Sequence, residues 1–200
     1  VRNSSHAAAA MAQKIRIRRT ERKTIALPFV IAGTERKGRA MVPPCMSEAG
    51  NDTAGTAFTV LTYNVHSCIG MDRRLDVRRI ADVIAESRAD IVLLQELDVG
   101  RARTGGTDQA AEIAAHLSMD PHFHPALHLD EEKYGDAILT ALPSRHIRSA
   151  ALPSIGEPRG AIWVEVTVGE RTVQVVNTHL GLRRRERMTQ TLELLGENWL

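Results

Sequence analysis

The 200-residue sequence predicts an α/β sandwich. Short apolar runs end abruptly in polar strings, as strands do where they leave a buried sheet. Between them lie segments with helical apolar spacing. Two β-rich runs flank a Gly-Glu pair, which reads as a hairpin and makes the sheets mixed rather than purely parallel.

The elements follow in order. Phe58–Tyr63 reads as a strand. Asp76 is a plausible N-cap for a helix whose Val77, Ile80, Ala81 and Ile84 fall on one face. Ile91–Leu94 reads as a short buried strand ending at Gln95-Glu96. A Gly-rich loop, Arg103–Gly106, leads to a helix over Thr107–Leu117, with Thr107 as its candidate cap. Ala137–Leu142 reads as a strand. Ala161–Val168 and Thr172–Asn177 form a hairpin about Gly169-Glu170. A last helix begins near Arg184, with Met188, Leu192 and Leu195 expected to face inward.

Charge divides the chain. Residues 1–57 hold ten Lys/Arg against four Asp/Glu, whereas residues 58–200 hold 16 against 20. The first segment, with its Pro43-Pro44 pair and a linker-like Ser47–Thr56, is expected to be a basic, disordered N-terminal extension. Much of 1–45 is expected to lie outside the working protein, with Met46 just ahead of the first strand. A basic arm can touch nucleic acid, but without interleaved aromatics a solvated tail is the plainer reading. No apolar run approaches the roughly 20 residues of a membrane span. Cys45 and Cys68 do not make a disulfide framework, and a cytoplasmic location fits that usage. Oligomeric state is not readable.

Polar side chains at strand ends are the candidates for chemistry, because open α/β proteins gather their sites there. Glu96 ends a strand of Ile, Val and Leu, where an unpaired carboxylate is costly. A divalent cation would neutralise it, and Mg²⁺ takes one or two carboxylates with waters and phosphate oxygens. An ion pair with Arg101 or Arg103 is the alternative. Asn64 can support a metal-bound water or a phosphate oxygen. His66 can donate to an anion or satisfy a backbone carbonyl. His179 can donate to a phosphoryl oxygen or be a half-buried structural histidine, and Asp136 can orient a water or hold a turn. Arg159 is a phosphate clamp or a partner of Glu157. His122 and His124 alternate on one strand face, without a trusted metal spacing.

Five strings together resemble the endonuclease/exonuclease/phosphatase superfamily, the DNase I-like metal-dependent phosphoesterases. They are Thr62-Tyr63-Asn64-Val65-His66, Leu94-Gln95-Glu96, Tyr134-Gly135-Asp136-Ala137-Ile138-Leu139, Arg159-Gly160 and Asn177-Thr178-His179-Leu180. The resemblance runs from about Phe58 to the end and is nearest the bacterial metal-dependent hydrolase branch. It implies a four-layer α/β sandwich of the DNase I-like type, with one cleft at the strand ends. It implies Glu96 as metal ligand for Mg²⁺, with Mn²⁺ as substitute. His179, Asn64 and Asp136 become the catalytic candidates; Arg159, His66 and Asn177 become the substrate-binding ones. The substrate implied is a phosphate ester: nucleic acid, a phospholipid head group or a small phosphodiester. Asp136 stands where the family often has Asn. The family's Gly-Asp-x-Asn and Asp-His strings do not occur by Leu200. The domain is therefore expected to be incomplete, poorly soluble through a bare sheet face, and hydrolytically silent alone, or else a binding or scaffold remnant.

Overall fold

The computed structural model describes residues 57–199 together with two short upstream strands. The strands are β1 (Ala12–Ile17), β2 (Ala26–Pro28), β3 (Phe58–Asn64), β4 (Ile91–Val99), β5 (Asp120–Leu129), β6 (Glu132–Thr140), β7 (Ser144–Leu152), β8 (Arg159–Val168) and β9 (Arg171–Thr178). The helices are α1 (Val77–Glu86), α2 (Gln109–Leu117) and α3 (Arg184–Leu194). Two sheets result, ordered β1-β3-β4-β6-β5 and β2-β9-β8-β7. β3 and β4 run parallel, and the other pairs antiparallel except β2 with β9.

Alternation along each strand decides the layers. Phe58, Val60, Ile91, Leu93 and Ile138 of the first sheet meet Ile162, Val164, Val166, Val173 and Val175 of the second. The opposite face of the first sheet presents Leu61, Tyr63, Val92, Leu94 and Leu139 to α1 and α2. On the outer face of the second sheet, Ala161 and Val176 pack with Leu194 and Trp199, at and just beyond the end of α3. Helices, sheet, sheet, helix: this is the four-layer sandwich that the resemblance implied. The inner faces of the two sheets cover each other, so the bare sheet face expected from the sequence is not found among the described residues. Among those residues no helix is long and apolar enough to cross a membrane.

Local signals account for most boundaries. Asp76 caps α1, its carboxylate accepting from the Arg79 N–H at 2.8 Å. The cap of α2 is Asp108, which accepts from the Ala111 N–H at 2.9 Å. The expected Thr107 instead donates its hydroxyl to the Thr104 carbonyl. Gly169, with a φ of 63°, turns the β8–β9 hairpin. At Gly135 any Cβ would collide with the His124 carbonyl, so glycine is what lets β5 and β6 close together. The extension read over 1–57 contributes β1 and β2; its remainder, with Cys45, Met46 and the Ser47–Thr56 linker, lies outside the described residues.

The last helix departs from its expected face. Met188, Leu192 and Leu195 are 56%, 65% and 57% exposed, while Glu186, Gln190 and Leu194 face inward. Loop backbone explains the reversal. Glu186 accepts from the Ile155 N–H at 3.0 Å, and Gln190 accepts from Gly181 N–H at 2.8 Å while donating to the Pro153 carbonyl at 2.9 Å. Buried backbone groups need partners, and these two polar side chains supply them. Leu194→Ala is therefore expected to cost about 2–5 kcal/mol, whereas Leu192→Ser should stay within about 0.5 kcal/mol; urea denaturation of both variants checks this.

Candidate active site

Where the intersheet space reaches the strand ends, its lining turns from aliphatic to amide and carboxylate. Asn177 of β9 crosses to the first sheet. Its Nδ2 donates to the carbonyls of Leu94 and Ala137 at 2.9 and 2.8 Å, and its Oδ1 accepts from Gln95 Nε2 at 2.7 Å. Every polar atom of this buried amide is thus occupied. Asn177, expected to bind substrate, does not face the cleft; it staples the two sheets beneath it.

The staple sits at a β-bulge. Pairing of β4 with β6 shifts register between Leu94 and Leu97. Within that bulge Glu96 takes a φ of 63°, a left-handed position that costs an L-residue about 1–2 kcal/mol. A bulge re-aims one side chain and restores alternation beyond it. Leu97 accordingly returns to the helix-facing core, and Glu96 is turned toward Asn64, His66 and His179.

Around Glu96 the expected partners assemble. Asn64 Nδ2 donates to Oε1 at 2.7 Å, His66 Nδ1 lies 3.1 Å from Oε2, and His179 Nδ1 lies 3.7 Å from Oε1. Burial opposes ionisation of Glu96. Hydrogen bonds from Asn64 and His66, with the nearby His179, outweigh it and hold the carboxyl below the ordinary range. The arginine alternative is not what the structure adopts. Arg103 grips both oxygens of Asp98 at 2.7 Å, and Arg101 lies 3.3 Å from Glu132.

His179 follows the last residue of β9. Burial, and then the Arg159 cation, lower its pKa, so the ring is neutral near pH 7. Arg159 Nη1 sits 3.3 Å from Nδ1. Arginine can only donate, so Nδ1 accepts and the ring proton rests on Nε2. The Glu96 oxygen at 3.7 Å is too far to compete as a hydrogen-bond acceptor from Nδ1.

Arg159 is itself buried and also pairs with Glu157 at 3.1 Å. The pairing with Glu157 is the structural alternative read from the sequence. Asp136 is buried as well, accepting from the His179 backbone N–H at 3.1 Å. It anchors the His179 backbone rather than a water in the open cleft. Burial pushes its pKa up to about 7, against backbone hydrogen bonds from His179 and Glu96 that pull it down. With the folded value above the ordinary 3.8, the stability gained with neutral Asp136 is full below that value and declines as pH rises through about 7. Asp136→Asn is expected to flatten that decline; urea midpoints taken from pH 4 upward measure it.

Three further residues escape sequence reasoning: Gln95, Asp98 and Gln109. Gln95 lies inside a quoted string, yet nothing in its spacing marks it as a tie between sheets. Asp98, two residues past Glu96, is wholly buried and bound by Arg103. Of the alternating pair His122 and His124, His122 bonds Ser144 Oγ at 2.8 Å.

The set fits a hard divalent cation through a single donor, the ionised Glu96 carboxylate, paired with no Arg or Lys among the described residues; Asn64 turns its Nδ2 to that carboxylate, and the Nδ1 lone pair of His179 is taken by Arg159. It does not cage one, because no group of three or more His, Cys, Asp or Glu is gathered among the described residues.

Two mixed sheets between helices, with such a carboxylate at the strand ends, define the endonuclease/exonuclease/phosphatase class of folds. An endonuclease/exonuclease/phosphatase protein from Beutenbergia cavernae superposes with a TM-score of 0.55 at 22% identity, over 68% of this chain and 42% of its own. A functionally unknown conserved protein from Enterococcus faecalis gives 0.52 at 20% identity, over 69% and 60%. An endonuclease/exonuclease/phosphatase family protein from Leptotrichia buccalis gives 0.50 at 14%, over 68% and 60%. The chain thus spans about half the length of the solved structures it matches. It belongs to the PGAP2IP, C-terminal nuclease-like domain family, whose profile matches residues 55–196. No curated protein matches the sequence.

Proposed function

We propose that this chain carries the Glu96-centred part of a divalent-metal-dependent phosphoesterase site. The observation that supports it best is the ionised Glu96 carboxylate, turned toward Asn64, His66 and His179 by a bulge and paired with no arginine or lysine among the described residues. Glu96 would hold Mg²⁺, or Mn²⁺ in its place. Such a cation, when bound, neutralises charge developing on phosphoryl oxygens.

The chain's own residues do the rest. His179, neutral with its proton on Nε2, donates a hydrogen bond to a phosphoryl oxygen and stabilises the charge that grows there. Arg159 fixes that tautomer and adds positive field, while Asp136 holds the His179 backbone in place. Asn64 steadies Glu96, and exposed His66 stands at the rim, where it can meet the ester. Asn177 acts beneath the site as a staple. The substrate is a phosphate ester. Nucleic acid, a phospholipid head group and a small phosphodiester present the same group to this site. The absence of a disulfide framework in the sequence is what supports a cytoplasmic setting.

One carboxylate holds Mg²⁺ weakly, and the chain spans about half the length of its solved neighbours. We infer that further acidic and imidazole groups complete the site from outside the described residues. The missing general acid–base help is worth about 10²–10⁴-fold. A phosphate-binding or scaffold module without turnover is the second reading, favoured by the single carboxylate at the site among the described residues. Hydrolysis of bis-p-nitrophenyl phosphate by the pure chain, with Mn²⁺ titrated in, tests both. The expected result is saturable Mn²⁺ binding with turnover barely above background. Robust turnover would refute the incomplete site; no Mn²⁺ binding would refute the metal reading.

A further inference from the structure

The turn that follows β3 is held in a conformation its residues do not favour. His66, Ser67 and Cys68 have φ of 49°, 51° and 58°. None is glycine, and L-residues rarely take left-handed positions in succession. Two side chains grip the middle of this turn. Gln109 Nε2 donates to the Ser67 carbonyl at 2.7 Å, and Arg103 Nη2 donates to Ser67 Oγ at 3.0 Å. Both are fixed through Asp98. Its backbone N–H donates to Gln109 Oε1 at 2.9 Å, and its carboxylate takes Nε and Nη2 of Arg103. Gln109 and Asp98 are fully buried.

The consequence reaches the cleft through one more bond. The His66 N–H, placed by the turn, donates to Asn64 Oδ1 at 3.0 Å. That bond fixes which end of the Asn64 amide is which, so Nδ2 points at Glu96 Oε1. We propose that Gln109 is a positioning residue for Glu96. It acts through the left-handed turn, and Arg103 and Asp98 complete the clamp. The proposal rests on the cation reading only for its effect on metal affinity; the orientation of Asn64 is independent of it.

The test compares wild type, Gln109→Met, Gln109→Met with Ser67→Gly, and Ser67→Ala. Two readouts are taken: exchange of the Asn64 side-chain amide by NMR without metal, and Mn²⁺ titration. Outer partners of a metal site typically change affinity about 10–100-fold, so Gln109→Met should weaken Mn²⁺ binding by about 10-fold and speed Asn64 amide exchange to match. Glycine at 67 takes a left-handed φ without strain, and it should restore both. Ser67→Ala loses only the Arg103 bond and should shift both readouts the same way, by less; it decides the matter if Gln109→Met does not fold. An unchanged Asn64 amide in a folded variant, or a loss that Ser67→Gly fails to rescue, overturns the proposal. If wild type binds no Mn²⁺ but the amide responds as described, the cation reading fails and the clamp stands.

Discussion

Replacing Asn177 with leucine is expected to lower the unfolding free energy by about 3 kcal/mol or more, since each buried group left unpaired costs about 1–3 kcal/mol. Leucine is close in size, so the loss is not one of packing. It leaves the Leu94 and Ala137 carbonyls and the Gln95 amide without the partner that joins β9 to β4 and β6. The Leu94 carbonyl lies at the bulge, where the regular ladder with β6 is interrupted. Asn177 therefore substitutes for a missing strand-to-strand bond and at the same time couples the two sheets. Urea denaturation with an unchanged slope measures the effect. A loss under about 1 kcal/mol would mean that water replaces the amide.

The second large effect is at Glu96. Glu96→Gln keeps the shape and the acceptor for Asn64 but removes the charge. Outer partners of metal ligands are worth about 10–100-fold in affinity. Loss of the ionised carboxylate that Asn64 and His66 hold should therefore weaken Mn²⁺ by about 100-fold or more. Calorimetric titration reads this directly. Folding should survive, with a modest loss of stability at neutral pH, because Asn64, His66 and His179 favour the charged carboxyl in the folded chain. Equal Mn²⁺ affinity in Glu96→Gln and wild type would remove Glu96 from the metal site.

The two effects differ in how far sequence alone exposed them. Glu96, Asn64 and His179 were legible, because a polar side chain that closes an apolar strand run is conspicuous and strand ends converge. Arg159 and Asp136 were found, but their surroundings were not. Sequence places them near the cleft and cannot show that both are buried against the backbone and ring of His179. Asn177 looked identical to a cleft residue because it sits one strand position from Thr178-His179. Only the pleat, which turns it between the sheets, makes it structural. β7 went unseen, and β5 showed only in the alternation of His122 and His124, for a different reason. Each is an edge strand, and edges tolerate Pro121, Pro125 and charged residues that erase the alternation. The face of α3 was misread because apolar period outranks polar burial in any pattern search. Glu186 and Gln190 are buried for the sake of loop backbone, a need that exists only in three dimensions.

The most direct measurement is paramagnetic broadening by Mn²⁺ in the NMR spectrum of the ¹⁵N-labelled chain at substoichiometric metal. Resonances of Asn64, His66, Glu96 and His179 should broaden first and together, and Glu96→Gln should abolish the effect. Broadening centred elsewhere, such as on His122 and His124, or none at millimolar Mn²⁺, would contradict a cation seat at Glu96.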